Sequence, residues 1–160
     1  MRMALAMGAA LLASGCATVP AGPVAVETDS ISYTTGPCFG TCPMYTVSIR
    51  PDGSGTFEGR RFTAVTGTRA FRATPEQYRA FAAHLAPLRP AEGAVRLSGE
   101  ACTSQATDLP SAEVTWFSQI GNSQSYYLDF GCDRERNQAA RERLQAAPAL
   151  LPIADLIGRR

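Results

Sequence analysis

The sequence predicts an α+β fold in which an antiparallel β-meander, a helix, a β-hairpin and C-terminal helices follow one another, with the helices packed on one face of the sheet. Three observations predict it. Apolar and polar residues alternate with period two from Tyr45 to Ile49, and again on both sides of Gly121. Between these segments, the stretch from Thr74 to Gln77 has the residue types of a helix start.

The chain has the size and composition of one globular domain. It has 160 residues, of which 45% are hydrophobic and 18% are charged. It is therefore too short for a second large domain and too apolar for a disordered tail. Its 15 basic residues are all arginines, and they stand against 14 acidic residues. This near neutrality argues against nucleic acid as a partner, because binding to phosphates requires a surplus of basic residues.

The arginines are not spread evenly along the chain. Residues 50–96 contain eight arginines and four acidic residues. A basic surface turned toward anionic lipid would account for this surplus, and so would arginines scattered as solubilising charge on the outer sides of strands and a helix. We expect the second, because charged side chains usually lie on solvated faces.

The first 15 residues predict an export signal peptide. Met1-Arg2 forms a short positive end, and an apolar run through Ala13 follows it. The run is about half of the roughly 20 residues that span a bilayer, so we expect no retained transmembrane helix. Residues 12–16 resemble the lipobox of bacterial lipoprotein signals, which implies that Cys16 is acylated and begins the mature chain. Cleavage of an ordinary secretory signal near Ala17 is the alternative.

The segment after Cys16 predicts a membrane tether. The lipobox resemblance implies that an Asp after the acylated Cys would retain the product at the inner membrane. Ala17 therefore favours the periplasmic face of the outer membrane. Residues 16–30 contain Pro and Gly without helical periodicity, and as a flexible segment they would reach on the order of 20 Å. The folded domain is then predicted over residues 31–158.

The first half of this domain predicts a meander and a helix. Tyr45, Val47 and Ile49 alternate with polar residues, and Pro51-Asp52-Gly53 supplies a turn. Residues 56–58, 61–66 and 68–72 are predicted as short strands separated by Gly59 and Gly67. Thr74 is then the predicted N-cap of a helix with Pro75 at its first position. Its apolar stripe and its terminating prolines are Tyr78, Phe81, Ala82, Leu85, Pro87 and Pro90.

The second half predicts a hairpin and further helices. A two-residue turn at Gly121-Asn122 would pair Trp116 with Tyr127 and place the two apolar sets on opposite faces. A three-residue loop, residues 121–123, pairs Trp116 with Leu128, and we predict this register, with a bulge. It also pairs Val114 with Phe130. Asp133 is the predicted N-cap of a weakly apolar helix marked by Ala140, Leu144 and Ala147, and residues 150–157 are predicted to form a final short helix around Pro152.

Four cysteines fall in the predicted domain, at Cys38, Cys42, Cys102 and Cys132. An even number in an exported chain predicts disulfides, here with three alternative pairings. We favour Cys38 with Cys42, which closes a tight turn that Gly40 makes feasible. We then pair Cys102 with Cys132, because Cys132 ends the hairpin and Cys102 lies shortly before it. The crossed pairings stay open.

No residue pattern in the chain compels a reaction. His84 lies on the predicted helix beside its apolar stripe, where we expect a partly exposed surface residue and no Ser-His-Asp triad. Asp108 is a catalytic candidate, but an Asp before a strand more often caps a turn. A metal site built from the cysteines lacks the closely spaced second pair usual in zinc sites. We therefore expect no catalytic residue, no metal and no cofactor, and we favour a protein without enzymatic activity over an enzyme.

One stretch resembles a known bacterial family, the domain of unknown function 6438. The specific part is Cys-Phe-Gly-Thr-Cys-Pro at residues 38–43, and the resemblance covers most of residues 31–158. Its motif residues are Gly36, Pro37, Cys38, Phe39, Gly40, Cys42, Pro43, Tyr45, Asp52, Gly53, Gly59, Gly67, Thr107 and Asp108. The chain departs from the family between Leu88 and Gln105 and in adding Cys102 and Cys132. The resemblance implies an exported α+β domain and carries over no activity.

Two classes of function follow from these observations. The first is a lipid-anchored, disulfide-stapled protein of the cell envelope that binds a partner protein or a small envelope ligand without catalysis. The second is a thiol-disulfide exchange protein that uses Cys38 and Cys42. Reactive thiols are usually activated at a helix N-terminus or beside a cation. Cys38 and Cys42 instead precede Pro43 and a predicted strand, so we favour the first class.

Overall fold

The computed structural model describes residues 29–119 and 121–158. The predicted signal peptide, Cys16 and all of the predicted tether before Asp29 lie outside the described residues. The described chain forms a seven-stranded sheet in the order β4-β3-β2-β1-β6-β7-β5. Its elements are β1 (Ser30–Thr35), β2 (Met44–Ile49), β3 (Ser54–Arg61), β4 (Gly67–Arg72), α1 (Pro75–Leu85), β5 (Ala94–Leu97), β6 (Ser111–Phe117), β7 (Ser123–Asp129), α2 (Gln138–Ala146) and α3 (Ala154–Ile157).

All strand pairs are antiparallel except β5 with β7, which are parallel. The predicted α+β fold is therefore confirmed, and the period-two strand at residues 45–49 is β2. Its apolar residues face the buried side of the sheet, where Ile49 lies opposite Ile31 and Val47 lies opposite Tyr33. The central strands and the helices enclose one core, which includes Ile31, Val47, Phe57, Phe81, Leu85, Val114, Trp116, Leu128 and Leu144.

The predicted division of residues 56–72 into three short strands is wrong. Gly59 does not interrupt a strand but lies within β3, where it pairs with both Tyr45 and Gly67. Residues 62–66 form a loop that folds back onto β3, so the predicted strand at 61–66 is absent. A Cβ on Gly59 would lie 1.9 Å from the carbonyl oxygen of Val65. The glycine therefore permits this close approach of backbone to backbone.

Helix α1 begins as predicted. The Thr74 hydroxyl accepts a hydrogen bond from the backbone N–H of Gln77 at 3.2 Å, and the Gln77 side chain accepts one from the Thr74 N–H at 2.9 Å. This reciprocal pair is a capping box, which satisfies two N–H groups that have no partner within the helix. The predicted stripe of Tyr78, Phe81, Ala82 and Leu85 is buried. Pro87 follows the helix end at Leu85, as expected.

The register of the second hairpin differs from the prediction. Trp116 lies opposite Gln124, Val114 opposite Tyr126 and Ala112 opposite Leu128. The connecting loop is longer than the predicted three residues, because Ser118 N–H already bonds the Asn122 carbonyl at 2.9 Å. No bulge lies in this pair. The irregularity falls between Met44 and Tyr45 in β2.

Two further elements depart from the sequence predictions. Strand β5 was not predicted, and it lies within the stretch where the chain departs from the family motif. Asp133 is not the N-cap of α2, whose cap is Asn137. The Asp133 carboxylate instead accepts hydrogen bonds from the backbone N–H groups of Thr103 and Ser104 at 3.1 and 2.8 Å. The last helix, α3, begins only after Pro152.

A few polar contacts link the helices to the sheet, the two longer helices to each other, and the start of β1 to the segment after α1. The buried Tyr33 hydroxyl of β1 donates to the Leu144 carbonyl of α2 at 2.9 Å, and burial raises the pKa of this phenol well above its usual range. His84 Nε2 lies 2.8 Å from the Arg143 carbonyl oxygen, so α1 and α2 are linked. At the start of β1, Asp29 Oδ2 lies 2.5 Å from Arg89 Nη2.

Candidate functional site

The family motif residues 36–43 form the connection between β1 and β2. Within it, Cys38 and Cys42 are joined by a disulfide with a Cα–Cα distance of 5.8 Å. Gly40, at the tip, has a φ of 132°, a backbone conformation that glycine adopts without a steric penalty. The predicted pairing of Cys38 with Cys42 is therefore confirmed, and so is the feasibility of closing such a short loop.

Backbone hydrogen bonds hold this turn against the second part of the motif. The Gly36 N–H donates to the Ser111 carbonyl at 2.9 Å, and the Phe39 N–H donates to the Asp108 carbonyl at 3.0 Å. A Cβ on Gly36 would lie 2.1 Å from the Ser111 hydroxyl oxygen. The two parts of the motif, far apart in sequence, are thus one structural unit.

Asp108 contributes to this unit through its backbone. Its φ is 68°, a left-handed conformation that Asp tolerates better than most residues, and this conformation accompanies the bond from its carbonyl to Phe39. The exposed Asp108 carboxylate accepts a hydrogen bond from the Thr107 hydroxyl at 3.2 Å. The geometry therefore assigns Asp108 a role in positioning the turn.

Large apolar side chains are exposed around the turn. Phe39 is 88% exposed, Phe62 is 47% exposed and Leu109 is 36% exposed. Phe39 and Phe62 line one groove of about 610 Å³ together with both cysteines, and Leu109 directly follows the residue that holds Phe39. We call Phe39, Phe62 and Leu109 the apical patch. The Arg61 guanidinium carbon lies 5.0 Å from the Phe62 ring centroid, which gives the patch a cationic border.

Phe39 is a residue of the sequence motif, whereas Phe62 and Leu109 were not predicted to lie beside it. Phe62 follows β3, and its φ of 57° is unusual for an aromatic residue. Leu109 directly follows the motif residue Asp108. A large apolar residue at a solvent-exposed loop position has no periodic pattern that would mark it. Their proximity follows only from the fold: Phe39 and Phe62 line one groove, and the backbone bond between residues 39 and 108 brings Leu109 to the same turn.

The remaining motif residues are distributed over the sheet. Asp52 and Gly53 lie in the turn between β2 and β3, at the opposite end of the sheet from the apical patch. The Asp52 carboxylate accepts from the hydroxyl and the N–H of Ser54 at 2.6 and 2.9 Å, and these bonds lower the pKa of Asp52. Tyr45 is buried and stacks on Phe57 with the ring centroids 5.3 Å apart. These residues shape the fold and lie outside the candidate site.

The second predicted disulfide is also confirmed. Cys102 and Cys132 are joined with a Cα–Cα distance of 5.3 Å, so the crossed pairings are excluded. The hydrogen bonds from Thr103 and Ser104 to the adjacent Asp133 lower the pKa of its carboxyl, chiefly through the two backbone N–H groups. This bridge fastens the segment after β5 to the end of the hairpin.

Over residues 29–119 and 121–158, no group of three or more His, Cys, Asp or Glu side chains is placed to hold a metal ion. His84, whose ring bonds Arg143, is partly exposed as predicted and lies outside the apical patch. Nor does the described part of the chain include a helix with the length and apolarity needed to cross a membrane. The apical patch is the candidate site because its large apolar side chains are exposed at the motif turn, and its chemistry is apolar contact.

The comparisons with known proteins agree with the sequence motif. A family model described as a domain of unknown function (DUF6438) matches residues 29–148. This range contains both parts of the motif, both disulfides and all seven strands. No curated protein matches the chain. The chain belongs to this family.

Proposed function

We propose that this member of the family is a lipid-anchored protein of the cell envelope whose domain, residues 31–158, binds a partner protein through the apical patch without catalysing a reaction. One observation carries the binding role. Phe39 is 88% exposed on a turn that the Cys38–Cys42 disulfide and the bond to Asp108 hold in one conformation.

An exposed aromatic ring on a rigid turn is suited to be the anchor of an interface. Burying a Phe side chain contributes about 1.5–3 kcal/mol. Because the turn is already fixed, binding loses little further conformational entropy in ordering it. Phe62 and Leu109 extend the apolar surface around this anchor. Interfaces typically combine such a buried central residue with weaker surrounding contacts. The partner is therefore a protein with an apolar pocket.

The proposed location rests on the N-terminal sequence and on the cysteines. Residues 1–15 act as the signal peptide, Cys16 carries the lipid, and the following residues tether the domain to the membrane. Ala17 favours the periplasmic face of the outer membrane. The two disulfides support an oxidising compartment, since such bonds persist mainly outside the cytosol. The proposed partners are therefore the membrane, through the lipid on Cys16, and an envelope protein.

A second proposal is thiol-disulfide exchange by Cys38 and Cys42, and one observation favours it. Both cysteines line the surface groove beside Phe39, so a substrate thiol could approach their sulfurs. However, the turn leads into β2 at Met44 and not into a helix, whose N-terminus would stabilise a thiolate. The binding role is therefore the better supported of the two.

Site-specific photo-crosslinking in cells tests the binding role. A benzophenone amino acid at position 39 should yield one discrete protein adduct. The same amino acid at Ala83, an exposed position on α1, should not yield it. Replacing Phe62 and Leu109 together by Ser should remove the adduct while the thermal midpoint stays within a few degrees. Equal labelling from positions 39 and 83 would contradict the proposal.

Two further measurements test the anchor and the alternative activity. Mass spectrometry of the mature protein should find Cys16 acylated at the N-terminus, and Cys16→Ser should release the protein from the membrane fraction. A redox titration should place the Cys38–Cys42 couple below about −300 mV, as for structural disulfides. A potential near that of the compartment, together with reductase activity that is lost in Cys38→Ser, would favour thiol exchange instead.

A further inference from the structure

The sheet face that the helices leave open carries a groove far from the apical patch. It lies across β1 to β4, at the first residues of β1 and β3 and the last residues of β2 and β4, and has a volume of about 750 Å³. This size is within the range of small-molecule sites. The lining residues that matter here are Ser32, Ser48, Thr56, Arg50, Arg72 and Phe117. We call this region the basic groove.

Strand alternation places the hydroxyl groups of the groove side by side. Ser32 of β1 lies opposite Ser48 of β2, which lies opposite Thr56 of β3. Directly paired residues point to the same face of a sheet, so three neighbouring strands present a row of hydroxyls. The Ser48 hydroxyl donates to the Ser32 hydroxyl at 3.4 Å. Each hydroxyl can both donate and accept further hydrogen bonds.

Two arginines make the groove positive. Arg50 and Arg72 line it, and no acidic residue does. Across the described ranges, neither guanidinium has a carboxylate within ion-pair distance. Asp52 lies in the adjacent turn, and the charges of both arginines contribute to its lowered pKa. Its carboxylate accepts hydrogen bonds from Ser54 and forms no ion pair with either arginine. The charge of the groove therefore favours an anionic ligand.

An aromatic ring borders the same groove. Phe117, the last residue of β6, is 47% exposed and lies opposite Ser30. An aromatic ring offers a flat apolar surface, and a guanidinium binds a carboxylate in a planar, paired geometry. The groove thus presents hydroxyls, two guanidiniums and one ring to a single ligand.

We propose that the basic groove binds an acidic oligosaccharide. The arginines bind the ligand's acidic groups, the Ser and Thr hydroxyls bind the sugar hydroxyls, and Phe117 packs against the apolar face of a sugar ring. A free phosphate would engage only the arginines, and an anionic lipid surface would leave the row of hydroxyls without sugar partners. This site is separate from the apical patch and does not depend on the function proposed for it.

A glycan array tests the proposal on the full chain, kept in a detergent that contains no sugar. The array carries uronic-acid, carboxylated amino-sugar, sulfated, phosphorylated and neutral oligosaccharides. Acidic glycans should be retained and neutral ones of equal length should not. The best carboxylated binder is then titrated in solution, and its methyl ester, which has lost the charge but kept the sugars, should bind at least tenfold more weakly.

Variants at exposed positions assign the binding to the groove. Arg72→Gln and Arg50→Gln should each weaken binding at least tenfold, because each removes a charge-assisted hydrogen bond. Phe117→Ala should weaken it several-fold. Arg69→Gln is the matched control: Arg69 is exposed on the same strand as Arg72 but lies opposite the buried Phe57, on the other face. This control should bind within twofold of the wild type.

Three results would overturn the proposal. The first is that no glycan is retained, or that neutral and acidic glycans are retained equally. The second is that Arg69→Gln weakens binding as much as Arg72→Gln does. The third is that the chain ignores the array but binds inorganic phosphate or vesicles of anionic lipid, which would assign the arginines to those ligands. Circular dichroism of each variant separates lost binding from lost folding.

Discussion

The two disulfides should stabilise the domain by different amounts, because they close loops of different length. The sequence separation is 30 residues for Cys102–Cys132 and 4 residues for Cys38–Cys42. On the chain-entropy model, the corresponding contributions are about 4 kcal/mol and about 2 kcal/mol. Removing the longer bridge with Cys102→Ala and Cys132→Ala should therefore cost about twice as much as removing the shorter one with Cys38→Ala and Cys42→Ala.

Urea unfolding of the full chain, followed by tryptophan fluorescence, measures both losses. Trp116 is the single tryptophan and is buried, so its emission reports the core. The free energy of unfolding should fall by about 4 kcal/mol without the longer bridge. The reasoning is refuted if both double variants lose the same amount, or if loss of the shorter bridge costs more. Unfolding in excess reductant, which opens both bridges without mutation, is the control for substitution effects.

Three more predictions concern single side chains. Arg89→Ala leaves the largely buried Asp29 carboxylate without its ion-pair partner and should cost on the order of 2 kcal/mol by urea unfolding; a loss under about 0.5 kcal/mol would contradict this. Gly59→Ala should destabilise by more than about 2 kcal/mol, because its Cβ would collide with backbone, and an unchanged thermal midpoint would refute it. The pKa of Asp133 is lowered in the native state, so its stabilising contribution is complete above about pH 4 and is lost as the pH falls through the native pKa. Thermal midpoints measured from pH 7 to pH 2 should therefore decline less steeply in Asp133→Asn, whereas parallel acid limbs would contradict the assignment.

The elements that the sequence predicted well are those with local signals. Helix α1 is set by the capping box of Thr74 and Gln77 and by a stripe at helical spacing, all within a few residues. Strand β2 shows its alternation within six residues. The disulfide pairings also follow local logic, since Cys38 and Cys42 share one turn and Cys102 and Cys132 flank one hairpin.

The elements that were missed depend on partners elsewhere in the chain. Strand β5 has only four residues and exists because it pairs in parallel with β7. The hairpin register depends on a loop whose length the turn residues did not reveal. Asp133 has the residue type of an N-cap, but its carboxylate accepts hydrogen bonds from the backbone N–H groups of Thr103 and Ser104, far earlier in the chain.

The candidate site likewise contains residues that a local sequence signal predicted and residues that only tertiary structure brings together. The cysteine turn and Asp108 were predicted from the sequence motif. The apical patch was not, because only the fold places Phe62 in the same groove as Phe39 and ties the residue before Leu109 to the Phe39 backbone. The basic groove was missed for a similar reason: its two arginines look like ordinary solubilising charge until the strands are placed side by side.

The position of β1 constrains how this protein can form. The earliest strand of the domain lies in the middle of the sheet, between β2 and β6, and its first residue, Ser30, pairs with Phe117. Contacts so distant in sequence form slowly, because a large loop must close first. Until β6 has paired with β1, one side of β1 exposes unpaired backbone N–H and C=O groups, with which strands of other chains can pair. A nascent chain that has not yet reached Ser111 is therefore prone to aggregate. The sheet can be completed only after nearly the entire polypeptide has been synthesised.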